Sequence, residues 1–180
     1  AYGPLSIGRI VATTLLELDR KFDDMLAQVT GPGGRLIIGE DEQGRAIVSN
    51  FPATLPTFFR TFCALNAQVE AIVAGDERLS FADLDRWSEQ LAHALVSRGI
   101  GKGDRVGIAM RNCPSWVVAY MAIAKAGGIA ALHNGWWQPH EMKHALDMVR
   151  PKLIIADAPR AKRIEGICGT CALAVLPIEE

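Results

Sequence analysis

His140, Glu141 and His144 lie in the stretch PHEMKHAL, residues 139–146, at the spacing of an HExxH zinc site. On a helix, His140 and His144 share one face, as two zinc ligands must, and Glu141 stands beside them as a general base. Three features weigh against that chemistry. Pro139 puts His140 in the first, frayed turn of any helix that starts there, whereas a ligand pair needs a rigid support. Lys143 falls between the two histidines, where its charge opposes a cation. A third ligand is missing: an extended motif wants Gly and His at positions occupied by Asp147 and Arg150, and Glu165 belongs to a different predicted element. The three residues read better as solvated positions on a helix.

Other groups of chemical interest give way in the same manner. Cys168-Gly-Thr-Cys171 is a single CxxC. A structural zinc site needs a second pair, and a redox CxxC opens a helix after a strand, whereas this one precedes an apolar strand. It reads as two unpaired thiols in a loop. GIGKGD (99–104) and GPGG (31–34) resemble phosphate loops in composition, yet both run from a helix into a strand. Phosphate loops run the other way, so that helix N-terminal amides meet the anion; these glycines serve as caps and turns. Trp136 and Trp137 follow the apolar run GIAAL, at the end of a strand where α/β sheets gather ligands. They are a pointer to a site, or to an interface or a packed layer. No G-x-S-x-G, Ser-His-Asp set or carboxylate pair is present, so no residue is assigned a catalytic, cofactor-binding or metal-binding role.

The elements that must carry these residues follow from periodicity. Residues 13–29 place Leu15, Leu16, Phe22 and Met25 at helical intervals, and RLIIGEDEQGRAIVS reads as a hairpin turning at Gly44. These form an added layer over residues 1–50. From 51 to 180 the chain alternates: a helix at LPTFFRTFCALNA, a short strand at VEAIVAG, then a helix N-capped by Ser80 with Asp83 in capping-box position. Phe81, Leu84, Trp87, Leu91 and Leu95 supply its predicted apolar face. RVGIAM, GIAAL, KLIIAD and CALAVLPI read as strands, joined by helices starting at Pro114, Pro139 and Ala158. Strand–helix alternation implies a mostly parallel sheet with right-handed crossovers and flanking helices, an α/β fold.

Composition narrows the function classes. With 180 residues, 49% of them hydrophobic, 22% charged and a net charge of −1, the chain is an ordinary globular protein. Without a basic excess, nucleic-acid binding is not expected. No apolar run reaches the roughly 18 residues that span a bilayer, so no transmembrane segment is expected. The N-terminus lacks the features of a secretory signal, and four scattered cysteines (Cys63, Cys113, Cys168, Cys171) fit a reducing cytoplasm.

Taken as one string, residues 79–157 resemble the N-terminal region of acyl-CoA synthetases of the adenylate-forming (AMP-binding) superfamily. The resemblance rests on LSFADLDRWSEQLAHAL, then Gly103–Val106 (GDRV), Asn112–Pro114 (NCP), Lys125–Gly128 (KAGG), Asn134 and the Pro139–Leu146 helix, in that order. It is strong over 80–175 and looser over 51–79. VTGPGGRLIIGEDEQGRAIVSNFPATLPTFF is similar to the start of a fatty-acyl-CoA synthetase subgroup. Leu132-His133 stand where the family often has Pro before Leu-Asn; His133 either faces a site or fills the loop. The resemblance implies a fatty-acid–CoA ligase: ATP–Mg²⁺ and a fatty acid give an acyl-adenylate, and coenzyme A displaces AMP. In that family the phosphate loop, Mg²⁺ carboxylate, ribose contact and catalytic Lys lie beyond this region, and this sequence holds no Ser/Thr/Gly-rich loop ending in Lys. The 180 residues are therefore expected to be structural and inactive by themselves, to bind none of these cofactors, and to present apolar surface that could pair in a homodimer. A stand-alone binding module, or a zinc peptidase, would be the competing readings.

Overall fold

The computed structural model describes residues 6–169 and 171–176. The N-terminal residues 1–5 and the Pro177-Ile178 end of the last predicted strand lie outside the described residues. Contacts divide the chain into two compact units, Ala1–Pro52 and Ala53–Glu180. Among the described residues no helix is long and apolar enough to cross a membrane.

In the first unit, helix α1 (Ser6–Thr30) begins before the 13–29 stretch that periodicity marks. Strands β1 (Ile38–Glu40) and β2 (Ala46–Val48) pair antiparallel, with Ile38 opposite Val48. Asp41 shapes their turn: its Oδ1 accepts from the amides of Gln43 and Arg45, both at 2.9 Å, and Gly44 sits at φ 73°. That left-handed conformation is why the turn carries Gly there.

The second unit opens with helix α2 (Leu55–Leu65), N-capped by Thr54. A hairpin follows, β3 (Glu70–Ala74) and β4 (Glu77–Ser80). Periodicity marks β3 alone. β4 is four residues long and pairs through the Gly75-Asp76 turn, with Gly75 at φ 59°, a two-residue loop signal that a short strand leaves easy to overlook. Ser80 then caps helix α3 (Phe81–Ser97): its Oγ accepts from the Asp83 amide at 3.1 Å, and Asp83 Oδ2 accepts from the Ser80 amide at 3.1 Å. The buried face of α3 is Leu84, Ser88, Ala92 and Leu95, with Phe81 and Leu91 at its margins. Trp87, expected on that face, stays exposed. Small residues hold the centre instead, and the Ser88 hydroxyl is satisfied internally by donating to the Leu84 carbonyl at 2.6 Å.

Strand β5 (Arg105–Ala109), helix α4 (Pro114–Lys125), strand β6 (Ile129–Leu132), helix α5 (Pro139–Val149), strand β7 (Leu153–Asp157), helix α6 (Ala158–Ile164) and strand β8 (Ala172–Leu176) complete the chain. The four strands form a wholly parallel sheet in the order β6-β5-β7-β8. The alternating side chains of β5 and β7 separate two cores. Val106, Ile108, Leu153 and Ile155 join Ala92, Leu95, Ala119, Ala122 and Ile123 of α3 and α4. Ala109, Ile154 and Ala156 join Met142, Leu146, Ala161 and Ile164 of α5 and α6. A third cluster packs α2 and the β3–β4 hairpin against α3 and α4, around Cys63, Leu79, Leu84, Val118 and Met121.

The glycines of GIGKGD act as caps, as their position between a helix and a strand predicts. Gly99 (φ 78°) donates to the Val96 carbonyl at 2.8 Å, and Ile100 donates to Leu95 at 3.0 Å, a Schellman ending for α3. α4 ends in the same way at Gly127 and Gly128.

Candidate functional site at the carboxyl edge of the sheet

The strand order places β5 beside β7 while the connection from β5 leads away to β6. This is a topological switch point, where loops after neighbouring strands diverge and leave a crevice at the carboxyl edge. The residues after β5, β6 and β7 line a cavity of about 520 Å³ there. Met110, Arg111 and Asn112 come from the β5 loop, Trp116 from α4, Leu132 to Trp136 from the end of β6, and Arg160 from α6.

Asp157, at the end of β7, organises this edge. It is 1% exposed. Its Oδ1 accepts from the Arg160 amide at 3.0 Å, capping α6, while Oδ2 accepts from the Arg111 amide at 2.9 Å and from Arg160 Nη1 at 3.2 Å. One carboxylate thus ties the β5 loop to the start of α6. Arg160 Nε and Arg163 Nη1 donate to the Gly135 carbonyl at 3.2 and 2.9 Å, fixing the β6–α5 loop on α6. The Arg160 guanidinium also lies 5.9 Å over the Trp136 ring, a cation–π geometry.

The two tryptophans divide their roles. Trp136 is 79% exposed and forms one side of the cavity, whereas Trp137 is half-buried and packs on the α5/α6 core. His133 is 6% exposed, meets Trp137 edge-on at 6.3 Å between centroids, and forms part of the cavity wall. Its Nε2 is buried without a partner, over β5 at Gly107, where a Cβ would lie 3.0 Å from that nitrogen. Burial holds His133 below its ordinary value of 6.5, so the ring is neutral at physiological pH. The glycine in β5 is what leaves room for this imidazole.

The cavity lining contains no serine, cysteine or carboxylate. Neither Arg160 nor Asp157 belongs to a motif that spacing in the sequence marks as chemical. An Asp closing an apolar strand and followed two residues later by Pro159 is an N-cap signal that does mark this corner.

The HExxH residues lie apart from this cleft. α5 buries Met142 and Leu146, leaving His140, Glu141 and His144 exposed. Glu141 Oε2 accepts from the Gln138 amide at 2.8 Å, capping the helix, and Lys143 pairs with Asp147 at 2.7 Å. Among the described residues no group of three potential metal ligands converges. Cys168 and Cys171 are free, half-buried thiols between α6 and β8.

Residues 59–176 match the AMP-binding enzyme family, within the second unit. The chain is 33% identical over 109 residues to the medium/long-chain-fatty-acid–CoA ligase FadD6 of Mycobacterium tuberculosis, covering 61% of this chain and 18% of that protein. It is 38% identical over 77 residues to the acyl-CoA ligase sidI of Beauveria bassiana, covering 43% and 13%. Among solved structures, a Mycobacterium tuberculosis fatty acyl CoA synthetase superposes with TM-score 0.64 at 25% identity, over 68% of this chain and 26% of that one. A benzoate CoA ligase from Burkholderia xenovorans superposes with TM-score 0.66 at 16% identity, over 70% of this chain and 26% of that one, a likeness of fold. The chain spans less than a fifth of the curated relatives' length. The match covers most of the chain and coincides with the parallel sheet and its switch-point cleft: the chain belongs to the AMP-binding enzyme family.

Proposed function

We propose that this chain is the N-terminal part of a fatty-acid–CoA ligase, which joins a fatty acid to coenzyme A with ATP cleaved to AMP and pyrophosphate. The observation that carries the reading is the identity of 33% over 109 residues and 34% over 97 residues to two medium/long-chain fatty-acid–CoA ligases. A carboxylate is a poor acyl donor. AMP provides the leaving group, and the work of the protein is to hold charged partners in line.

The chain's own share is scaffold. Its sheet and helices support one wall of the acyl and nucleotide site, with the Asp157–Arg160 corner holding the β5 and β6 loops in position. ATP and coenzyme A are substrates of the complete reaction, with Mg²⁺ beside the ATP. The residues that line the switch-point cleft include no carboxylate to hold Mg²⁺. A cytoplasmic setting fits the four free cysteines.

Two assays test the proposal. The 180-residue chain with ATP, Mg²⁺ and a fatty acid is expected to release no pyrophosphate. A chimera in which residues 53–176 replace the matching segment of the Mycobacterium tuberculosis fatty acyl CoA synthetase is expected to retain fatty-acid-dependent pyrophosphate release and acyl-CoA formation. A folded chimera without either activity would count against the ligase reading, and turnover by the chain alone would overturn the scaffold role.

A further inference from the structure

We propose that Cys168 and Cys171 are a reversible redox pair, which a small anionic disulfide of the glutathione type oxidises to an intramolecular disulfide between α6 and β8. The backbone sets the distance. The Cys171 amide donates to the Cys168 carbonyl at 3.2 Å. A hydrogen bond between residues three apart brings their Cα atoms within about 7 Å, the range that a disulfide bridges without moving the chain. Gly169 sits in this connection at φ 60°, a left-handed conformation that glycine adopts without steric cost. The thiols are also turned inward across the turn. Cys171 Sγ donates to the Cys168 carbonyl at 2.8 Å, and Cys168 Sγ donates to the Cys171 carbonyl at 3.7 Å.

The surroundings indicate the oxidant. Both thiols are half-buried, and they line a cavity of about 550 Å³ that opens beside the pair. Arg150 and Lys152 line it with a single carboxylate, Asp147. Lys152 is paired with Asp104 at 3.0 Å and Asp147 with Lys143 at 2.7 Å, so Arg150 is the lining cation that has no carboxylate partner among the described residues and can meet an anionic disulfide. The other two cysteines have no such partner: Cys63 is buried in the α2/hairpin core, and Cys113 lies at the start of α4.

The chemistry is two exchanges. The Cys168 thiol loses its proton and attacks one sulfur of glutathione disulfide, forming a mixed disulfide and releasing one glutathione thiolate. Cys171 then loses its proton and attacks Cys168 Sγ, forming the internal disulfide and releasing the second glutathione. Two protein thiols are oxidised, the external disulfide is reduced to two thiols, and the two protons end on the glutathiones. The order follows from the environment. Burial first, and then the hydrogen bond and charge of Cys168, push the Cys171 thiol up to about 12, so the opening attack falls to Cys168. In the mixed disulfide the Cys168 hydrogen bond and charge no longer act on Cys171, while burial still holds its thiol up, which makes the second exchange the slower one.

The test equilibrates the 180-residue chain in glutathione redox buffers, followed by acid quench, alkylation and mass spectrometry. The tryptic peptide that begins at Ile164 carries both sulfurs and neither Cys63 nor Cys113. In the native chain this peptide is expected to lose two hydrogens, reversibly with dithiothreitol. Its oxidation constant is expected to be at least about tenfold larger than in the same chain unfolded by guanidinium, because the fold holds the two thiols together. Cys171→Ser is expected to accumulate a glutathione adduct on Cys168 in place of the internal bond, and Cys168→Ser to form an adduct on Cys171 more slowly, because burial still holds that thiol up. Equal constants in the native and unfolded chain would overturn the proposal. So would separate adducts on both cysteines of the native chain, or thiols left free in oxidising buffer.

Discussion

Lys125 is an enclosed charge of the second unit, and replacing it tests how α3 and α4 are joined. Its side chain is 0% exposed. The ammonium meets Asp85 Oδ1 at 2.6 Å, the Asp85 carbonyl at 2.9 Å and Glu89 Oε2 at 3.3 Å. Breaking a buried ion pair from one side costs about 3–5 kcal/mol when the remaining charge stays buried. Here the partners left behind are 39% and 36% exposed, so water can take up much of the loss. The Asp85 carbonyl also keeps the Ser88 hydroxyl at 3.0 Å. Lys125→Met preserves the volume of the stem and removes only the charge-assisted bonds, so a destabilisation of about 2 kcal/mol is expected. With a urea m-value in the usual range of about 1–3 kcal/mol/M, the midpoint falls by about 1 M at constant m. Urea titration followed by tryptophan fluorescence reads this directly. Adding Asp85→Asn to Lys125→Met is expected to cost about 1 kcal/mol less than the sum of the single changes, since the two share one interaction. An unchanged or raised midpoint in Lys125→Met would refute the reasoning, because it would mean that desolvating the ammonium already cancels its bonds.

Two further outcomes follow from the same geometry. Gly107→Ala places a Cβ 3.0 Å from His133 Nε2 and 3.2 Å from Ile154 Cγ1, both in buried residues. Overpacking of about 1–3 kcal/mol should outweigh the gain of up to about 1 kcal/mol from a stiffer unfolded chain. A midpoint that rises, or a deficit that His133→Ala fails to relieve in the double variant, would contradict that packing. The pH dependence has two parts. His133 is held below 6.5 by burial, so under that pH the unfolded chain takes up a proton that the folded chain refuses, and stability begins to fall. Asp83 and Asp104 are held below 3.8, the first by the Ser80 hydroxyl and amide, the second by the Lys152 ammonium and the Gly101 amide. Burial raises Glu89, but bonds from Arg60 and Lys125 outweigh it and leave it below 4.5. These carboxylates add stability above their unfolded values, which is lost as pH falls through the folded ones. Urea midpoints measured downward from about pH 8 should therefore decline first below 6.5 and again in the carboxylate range. His133→Phe should remove the first decline alone; a wild-type profile flat between 6.5 and 4.5 would argue against a buried neutral imidazole.

Much of the fold was legible because its signals are local. Ser80 with Asp83, Pro114 and Pro139 each mark a helix start by a backbone requirement that few other residues meet, and Gly99 and Gly127 mark helix ends in the same way. The parallel strands read as short apolar runs because both faces of the sheet are covered. What escaped depends on partners far along the chain. β4 exists because β3 pairs with it, and the face of α3 turned toward Ser88, away from Trp87, because α4 lies against it. A helical wheel drawn from one segment contains neither fact.

The candidate site was the harder case for a related reason. HExxH stands out because its three residues are close in sequence, and that closeness is also why a helix cap explains them: Glu141 needs only the Gln138 amide, three residues away. The residues that shape the cleft are drawn from the ends of three strands, Arg111 after β5, His133 after β6 and Asp157 closing β7, and acquire their meaning only when the sheet order β6-β5-β7 brings those ends together. A parallel sheet joined by helices separates neighbouring strand ends by dozens of residues, so spacing in the sequence carries no trace of such a site. What does carry a trace is anomalous placement. A carboxylate closing an apolar strand at Asp157, a glycine inside a buried strand at Gly107 and a histidine at the end of another at His133 are each costly unless a specific neighbour compensates. Asp157 has its compensation in Arg160 and two amides, and Gly107 has it in the imidazole it admits. His133 Nε2 alone is uncompensated, so the same costliness that locates the cleft also singles out the atom on which a substitution there should act most strongly.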